Sequence, residues 1–281
     1  MSLSFYPPTR PSTVGEVLDL AFRIFKVTLI RALPYGIVAV IAQQISSLYN
    51  FGRVAPAQAA PAQTIFANPM VGGAFFVLGV LLALLAWSSM LLSQRSIVEL
   101  RPTSAGAELA AALRRMVAFA PATLLFLAVV AGDFTLLWAL PPAYRAQARL
   151  ALLVVSFYLA ILLSCTWPAV LLGGLGPIAA LRQSVRLVWG NWWRLTLIYM
   201  VSAIIVLVMA ILLGALIAAL VSWLGVGVPV MTSVVYAEVA NALGAVMAPF
   251  AGALLLATYG DLRVRKEGTD LQQRIAGVVV E

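Results

Sequence analysis

Hydrophobic and polar positions follow one pattern three times along this chain. A basic segment with helical period comes first, and apolar stretches long enough to cross a bilayer follow. The three openings read TVGEVLDLAFRIFKVTLIR (Thr13 to Arg31), TSAGAELAAALRRMVAFA (Thr103 to Ala120) and GPIAALRQSVRLVWGNWWR (Gly176 to Arg194). In the first, Val14, Val17, Leu18, Ala21, Phe22, Phe25 and Leu29 recur at steps of three and four, with Glu16, Asp19, Arg23 and Lys26 opposite, which predicts an amphipathic helix. Thr13 and Glu16 have the spacing of a capping box. In the second, Leu109, Leu113, Met116 and Ala120 repeat the spacing, with Arg114 and Arg115 on the polar side. In the third, Ile178, Leu181, Val185, Val188 and Trp192 do so. There Pro177 stands in the first turn, and Arg182 and Arg186 lie one turn apart.

Between and after these openings the sequence predicts six transmembrane helices, near Ala32–Tyr49, Met70–Ile97, Val117–Leu140, Leu150–Leu172, Leu195–Trp223 and Ser233–Tyr259. Each meets the ~20 residues needed to cross a ~30 Å hydrocarbon core, and the longer ones tilt or extend into the interface. The predicted fold class is an all-α, polytopic membrane helical bundle: six transmembrane helices plus three amphipathic interfacial helices, with approximate three-fold internal repetition. It reads as a single integral membrane domain over residues 1–281, with units 12–98, 103–172 and 176–260 and a cytoplasmic tail over 261–281.

Composition supports the class. Apolar residues make up 63% and charged residues 10% of the chain, and mean hydropathy is +1.03. A soluble domain carries about 45–50% and about 25%, so lipid is the expected solvent for most of this surface. Fifteen of the eighteen Lys and Arg fall in the N-terminal segment, the second and fourth connections and the tail, while Arg53, Arg145 and Arg149 fall on the other side. Basic side chains collect in cytoplasmic loops, so both termini are expected in the cytoplasm and the expected location is the bacterial inner membrane. The net charge of +8 is then a topology signal, and no nucleic-acid partner is expected. The outer connections are short or, at Asn50–Pro69, rich in Ala, Pro and Gln, which reads as a flexible loop. The first thirty residues include Glu16 and Asp19 and lack a small-residue cleavage site behind an apolar core. The first membrane helix is therefore expected to do the targeting.

The chain has one cysteine, Cys165, and no histidine, which removes intrachain disulfides, thiol metal clusters and the commonest general base. It carries no P-loop, GxSxG or HExxH motif. No cofactor and no metal is expected, and the expectation is a protein that is not an enzyme. Two carboxylates fall in the outer halves of predicted spans, Asp133 and Glu238. Acidic groups at that depth face the bundle or a cavity. They read either as a proton- or cation-handling site or as interface residues bonded to Trp138, Tyr236 or Asn241. Gln43, Gln44 and Asn241 complete this candidate polar set and suit hydrogen bonds between helices. Ala240, Gly244, Ala248 and Gly252 form a small-residue stripe that lets a second helix approach closely, within the chain or between copies. Oligomeric state is left open. Pro168 and Pro249 are expected to kink their helices, and Gly173-Gly-Leu-Gly176 reads as a plain turn before Pro177.

Two stretches carry a resemblance. Leu175-Gly-Pro-Ile-Ala-Ala-Leu-Arg-Gln-Ser-Val-Arg-Leu-Val-Trp-Gly-Asn-Trp-Trp-Arg194 and Asp261-Leu-Arg-Val-Arg-Lys-Glu-Gly-Thr-Asp-Leu271 resemble signatures of the glycerophosphoryl diester phosphodiesterase membrane-domain family. Thr13-Val-Gly-Glu-Val-Leu-Asp-Leu-Ala-Phe-Arg23 resembles its usual opening. The family commonly has an aromatic directly before the closing Asp, where Gly260 stands here after Tyr259. In the phosphodiesterases the hydrolytic site belongs to a separate barrel domain with metal-binding His, and this chain has no His. The resemblance therefore implies a stand-alone membrane module rather than a diesterase.

Three functions remain open on the sequence. One is a non-enzymatic scaffold or accessory subunit. It would present the basic face of Arg23, Lys26, Arg114, Arg115, Arg182, Arg186 and Arg194, with the charged tail, to anionic lipid headgroups at the cytoplasmic face or to membrane or cytosolic protein partners. The same residues also suit simple anchoring, with Lys and Arg snorkelling to water. The second is a transporter or channel for a small solute or lipid built on Asp133 and Glu238. The third is an intramembrane enzyme.

Overall fold

A computed structural model describes residues 6–8, 10–54, 69–102, 104–116, 118, 141, 144–223 and 229–268; within helices it leaves out the side chains of 43, 46–54, 69, 145–146, 217, 221 and 229–239. The described residues form α1 (Val14–Val54), α2 (Pro69–Val98), α3 (residues 105–116), α4 (Arg145–Leu163), α5 (Thr166–Gly173), α6 (Pro177–Val188), α7 (Trp192–Trp223) and α8 (Pro229–Glu267), with no strand among them. The fold is all-α. Five stretches are long and apolar enough to cross a membrane: Val14–Ala42, Met70–Val98, Gln147–Gly173, Trp192–Leu220 and Ala240–Glu267. The span expected at Val117–Leu140 lies outside the described residues.

α7 makes the solvent argument by itself. None of its most apolar window is buried, and Ile204, Leu207, Ile211, Leu212 and Leu216 are all exposed. At about 25 cal/mol per Å² of apolar surface, water is a poor medium for such a helix and hydrocarbon a good one. The protein is therefore a membrane protein.

Where each helix starts and stops follows from glycine and proline. α1 runs 41 residues without interruption, so the first interfacial helix and the first span are one helix rather than two. No glycine stands between Glu16 and Pro34 to turn the chain, and Pro34 is carried inside the helix. The third opening does separate, because Trp189-Gly190-Asn191 breaks the chain with Gly190 at φ 84°. Span four is also divided, at Ser164 and Cys165. Pro168 has no amide hydrogen to donate to the Ser164 carbonyl, and at the same turn the Ser164 amide donates to the Ile161 carbonyl at 3.2 Å, a tighter helix-ending bond. α5 closes on Gly174 at φ 66°; Gly174 N donates to Val170 O and Leu175 N to Ala169 O. The glycine-rich stretch is thus a helix-ending turn. α8 continues past the expected span to Glu267 and stops before Gly268, at φ 59°. Residues 261–267 are consequently helix, not the start of a tail.

By contacts the chain divides into two units. The first comprises Met1–Ala21, Ala110–Val201 and Leu254–Glu281; the second comprises Phe22–Leu109 and Ser202–Ala253. In the first, α6 packs on α4 and α5, and the Ser184 hydroxyl donates to the Leu162 carbonyl at 2.8 Å. In the second, Ala32, Met90 and Ala248 form a buried cluster under Tyr35 and Trp87. Phe250 packs against Phe22, with ring centroids 4.8 Å apart.

The small-residue stripe works inside this second unit. Ala248 lies in the buried cluster, and a Cβ on Gly252 would lie 2.6 Å from Gln94 Oε1. Gln94 is fully buried and donates its amide to the Pro249 carbonyl at 2.7 Å. The tightest approach is on α1. A Cβ on Gly36 would meet the Ala245 carbonyl oxygen at 2.4 Å, and Pro249, four residues on, cannot donate to that carbonyl. Backbone cannot yield as a side chain does, so Gly36→Val is expected to cost about 1–3 kcal/mol. Gly244→Ala meets only Val40 Cγ2 at 3.7 Å and should stay within about 0.5 kcal/mol of wild type. Thermal unfolding of both variants in mild detergent checks the pair; equal midpoints would sink the close-approach argument.

Candidate functional site

The amphipathic openings bury only part of the faces that their apolar residues predict: Val17, Ala21 and Val188 are enclosed, and several larger residues are not. On α1 the fully buried stripe is Val17, Ala21, Ile24, Thr28 and Ala32, while Phe22 is exposed. On α3 the buried positions are Glu108 and Ala112, whereas Leu109 and Leu113 are 44% and 59% exposed. On α6 Ala180, Ser184, Leu187 and Val188 are buried, and Ile178 and Trp189 are exposed. Small residues and hydrogen-bonded polar groups let helices meet closely around Ile24 and Leu187, and many of the other large apolar side chains are left for lipid, which accepts them without cost.

The polar groups so enclosed form two clamps. In the first unit Asp261 is fully buried. Its Oδ1 accepts the Ser12 amide at 2.7 Å, and its Oδ2 accepts Arg194 Nη1 at 2.5 Å and Arg265 Nε at 3.1 Å. Arg194 Nη2 also reaches the Ser12 carbonyl at 2.5 Å, which Arg265 Nη2 bonds as well. The same N-terminal segment lies over Gly260. A Cβ there would fall 2.9 Å from Tyr6 Cε2 and 3.1 Å from Pro8 Cδ, and the Tyr6 hydroxyl donates to the Leu256 carbonyl at 3.4 Å. That contact gives the glycine before Asp261 its reason: it makes room for Tyr6 and Pro8. The expected capping box starts α1 just beyond, with Thr13 N donating to Glu16 Oε2 at 2.6 Å and Glu16 N to Thr13 Oγ1 at 3.3 Å.

In the second unit the buried carboxylate is Glu108. Oε1 accepts Arg31 Nη2 at 2.9 Å and the Ser96 hydroxyl at 3.0 Å, and Oε2 accepts the Tyr35 hydroxyl at 3.0 Å. Arg31 closes the first opening and Arg194 the third, each eighteen residues after its start at Thr13 and Gly176. Equivalent arginines of two repeats thus hold a buried acid apiece. Both acids have donors on both oxygens. They bind helices together and have no vacant oxygen to offer a substrate.

The candidate basic residues therefore divide. Arg194 is turned inward to Asp261, and Arg115 donates to the Val170 and Leu171 carbonyls at the end of α5, where a cation is favoured. Neither is available as part of an outward basic face, which corrects the expectation for these two. Arg23, Lys26, Arg114 and Arg182 are exposed. Arg186 is exposed and pairs with Glu267 at 3.3 Å. Glu267 also accepts Arg263 Nε and Gln183 Nε2, each at 2.7 Å, so the residues expected to start a charged tail are engaged in α8 and its neighbours. An open cleft of about 290 Å³ lies between Leu175, Ala179, Arg182, Gln183 and Arg186.

Most of the candidate intramembrane set falls outside what the structure describes. Asp133 lies outside the described residues, as do the side chains of Gln43 on α1 and Glu238 on α8. Gln44 and Asn241 are half-buried. Among the described residues no group of three or more His, Cys, Asp and Glu is placed to hold a metal.

Tyr35, Ser96 and Glu108 were invisible as a site on sequence grounds. The one available signal was Glu108 itself, an acid inside an amphipathic segment of a chain with only ten acidic residues. No protein-family model, no curated protein and no solved structure matches this chain.

Proposed function

We propose that this chain is a non-enzymatic scaffold or accessory subunit of a membrane assembly, a stand-alone module of the membrane-domain family that its sequence resembles. Its basic interfacial segments face the cytoplasm of a bacterium and are offered to anionic lipid or protein partners. One observation carries this reading: the buried acids Asp261 and Glu108 are saturated by donors, while Lys26, Arg114 and Arg182 remain exposed. Acids fully occupied in holding helices, beside cations left at the surface, are the economy of a framework rather than of a reaction centre. The resembling stretches support it too, since Ser12, Arg194, Asp261 and Arg265 meet in one clamp.

The test is purification of the tagged full chain from its native membrane in mild detergent after brief cross-linking. A partner protein at fixed ratio is expected, and its yield is expected to fall at least several-fold when Lys26, Arg114 and Arg182 are replaced by Gln. Recovery of the chain alone, with a thermal midpoint indifferent to anionic lipid, would overturn the proposal.

A further inference from the structure

The segment ahead of α1 is held at two points of unequal strength. At its root Ser12 is buried, and both of its backbone groups are gripped. The amide donates to Asp261 Oδ1 at 2.7 Å, and the carbonyl accepts Arg194 Nη2 and Arg265 Nη2. Hydrogen bonds with one ionised partner are roughly twice as strong as neutral ones. At its tip Tyr6 is buried against α8. There the Tyr6 hydroxyl donates to the Leu256 carbonyl at 3.4 Å, a neutral bond well beyond the ~2.7–2.8 Å usual for O–H···O. Between the two points Pro7, Arg10 and Pro11 are exposed, and Arg10 turns to Glu16 of α1 at 2.7 Å.

The seat under the tip is bare backbone. The three heavy atoms nearest to a Cβ on Gly260 would be Tyr6 Cε2 at 2.9 Å, Pro8 Cδ at 3.1 Å and Tyr6 Oη at 3.2 Å. The strip of α8 from Leu256 to Gly260 thus accepts one aromatic ring and one proline because position 260 has no side chain. A methyl group there meets the segment before it meets any helix. Pro7, Pro8 and Pro11 also keep the segment stiff, since each ring fixes φ near −65°. It stays extended when lifted and docks again at small entropic cost.

We propose that residues 6–12 are a strap with a fixed root and a releasable tip, and that the Gly260 seat is a docking site for an extended segment of a partner protein. The segment it takes carries an aromatic residue followed two positions later by proline, the chemistry of Tyr6 and Pro8. In the free chain Tyr6 and Pro8 fill the seat themselves. The partner's segment replaces them while Ser12 stays clamped. The tethered tip competes at an effective concentration on the order of millimolar, so the seat is closed to weak ligands. This rests on the reading of the chain as a subunit with protein partners, and it names the place and the chemistry of the contact.

The experiment is fluorine NMR of the full chain in detergent, with 3-fluorotyrosine at position 6, together with hydrogen exchange over residues 12–18. The wild-type chain is expected to show the line of an enclosed ring. Gly260→Ala is expected to move most of that intensity to a solvent-exposed line, with exchange over 12–18 changed less than twofold. A fluorotyrosine peptide with the sequence Phe5 to Arg10 is then added to unlabelled chains. The double variant Tyr6→Ser, Pro8→Ser, whose own tip no longer fills the seat, is expected to bind it at least tenfold more tightly than wild type. Adding Gly260→Ala to that variant is expected to abolish binding. A tip line that stays enclosed in Gly260→Ala, or exchange at Ser12 that accelerates in step with it, would overturn the strap. A peptide bound by neither chain, or equally by both, would overturn the seat. All of these are read on the purified chain, so they stand apart from the recovery of a partner from the native membrane, whose failure overturns the broader reading alone.

Discussion

Replacing Asp261 with Ala is expected to destabilise the protein by about 3–5 kcal/mol, the cost of stranding the partners of a buried ion pair. Among the described residues, Asp261 is the carboxylate that Arg194 and Arg265 share. The Ser12 amide and two guanidinium groups converge on one carboxylate, and both arginines are largely buried, with side chains 19% and 28% exposed. Net stabilities are commonly about 5–15 kcal/mol, so this one change removes a large fraction. Asp261→Asn keeps an acceptor for Ser12 but withdraws the charge, and should fall between wild type and Ala. Two measurements check the argument. The unfolding midpoint in detergent should drop for Ala more than for Asn. Hydrogen exchange over residues 6–18 should accelerate in both, because Asp261, Arg194 and Arg265 together fix Ser12. An Ala variant with the wild-type midpoint and unchanged exchange would show that the clamp holds nothing.

Helices were legible in the sequence, and the faces they bury only in part, as at Val17, Ala21 and Val188. Period alone placed α6 and α3, and the Thr13–Glu16 box marked the start of α1. The apolar faces read from Leu109, Leu113 and Ile178 turned outward because the rule that large apolar residues go inside assumes water as the solvent. In lipid those residues are at home outside, and the interior goes to Ile24 and Leu187 together with small Ala21, Ala112 and Ala180 and hydrogen-bonded Thr28, Ser184 and Glu108. Breaks followed local chemistry in part: Pro168 and Gly190 interrupt, whereas Pro34, three residues past Arg31, is carried inside α1.

The clamps were legible only in part. Asp261 and Arg194 sit inside the stretches that carry the family resemblance, but nothing along the chain says that they touch, since 67 residues separate them. Pairing over such distance is a property of the folded helices and has no local period. The equal offset of Arg31 and Arg194 within their openings is a sequence fact whose meaning depends on Glu108 and Asp261 being found opposite. Repeats with matching arginines but different acids, one on α3 and one on α8, imply that the arginine is the repeated element and that each acid was supplied by whichever helix lay within reach.

Glu108→Ala provides the second large effect and tests that idea. Removing this carboxylate takes away the acceptor that Arg31 and the Tyr35 hydroxyl share, while the Ser96 hydroxyl keeps the Ser93 carbonyl at 2.8 Å, and the expected loss is about 3 kcal/mol. It falls below the Asp261 effect because Arg31 is 40% exposed at its side chain and can turn toward the headgroups. Arg31→Met by itself should also destabilise, since it leaves a buried carboxylate without its cation. The double variant Arg31→Met, Glu108→Leu removes both charges and refills the volume with apolar atoms, and it should recover to within about 1 kcal/mol of wild type. A double-mutant cycle of Arg31→Met, Glu108→Leu and the pair on unfolding in detergent then yields a coupling of about 1 kcal/mol or more between the two positions. Additive losses would mean that the arginine repeats for another reason and that Glu108 serves Tyr35 and Ser96 alone.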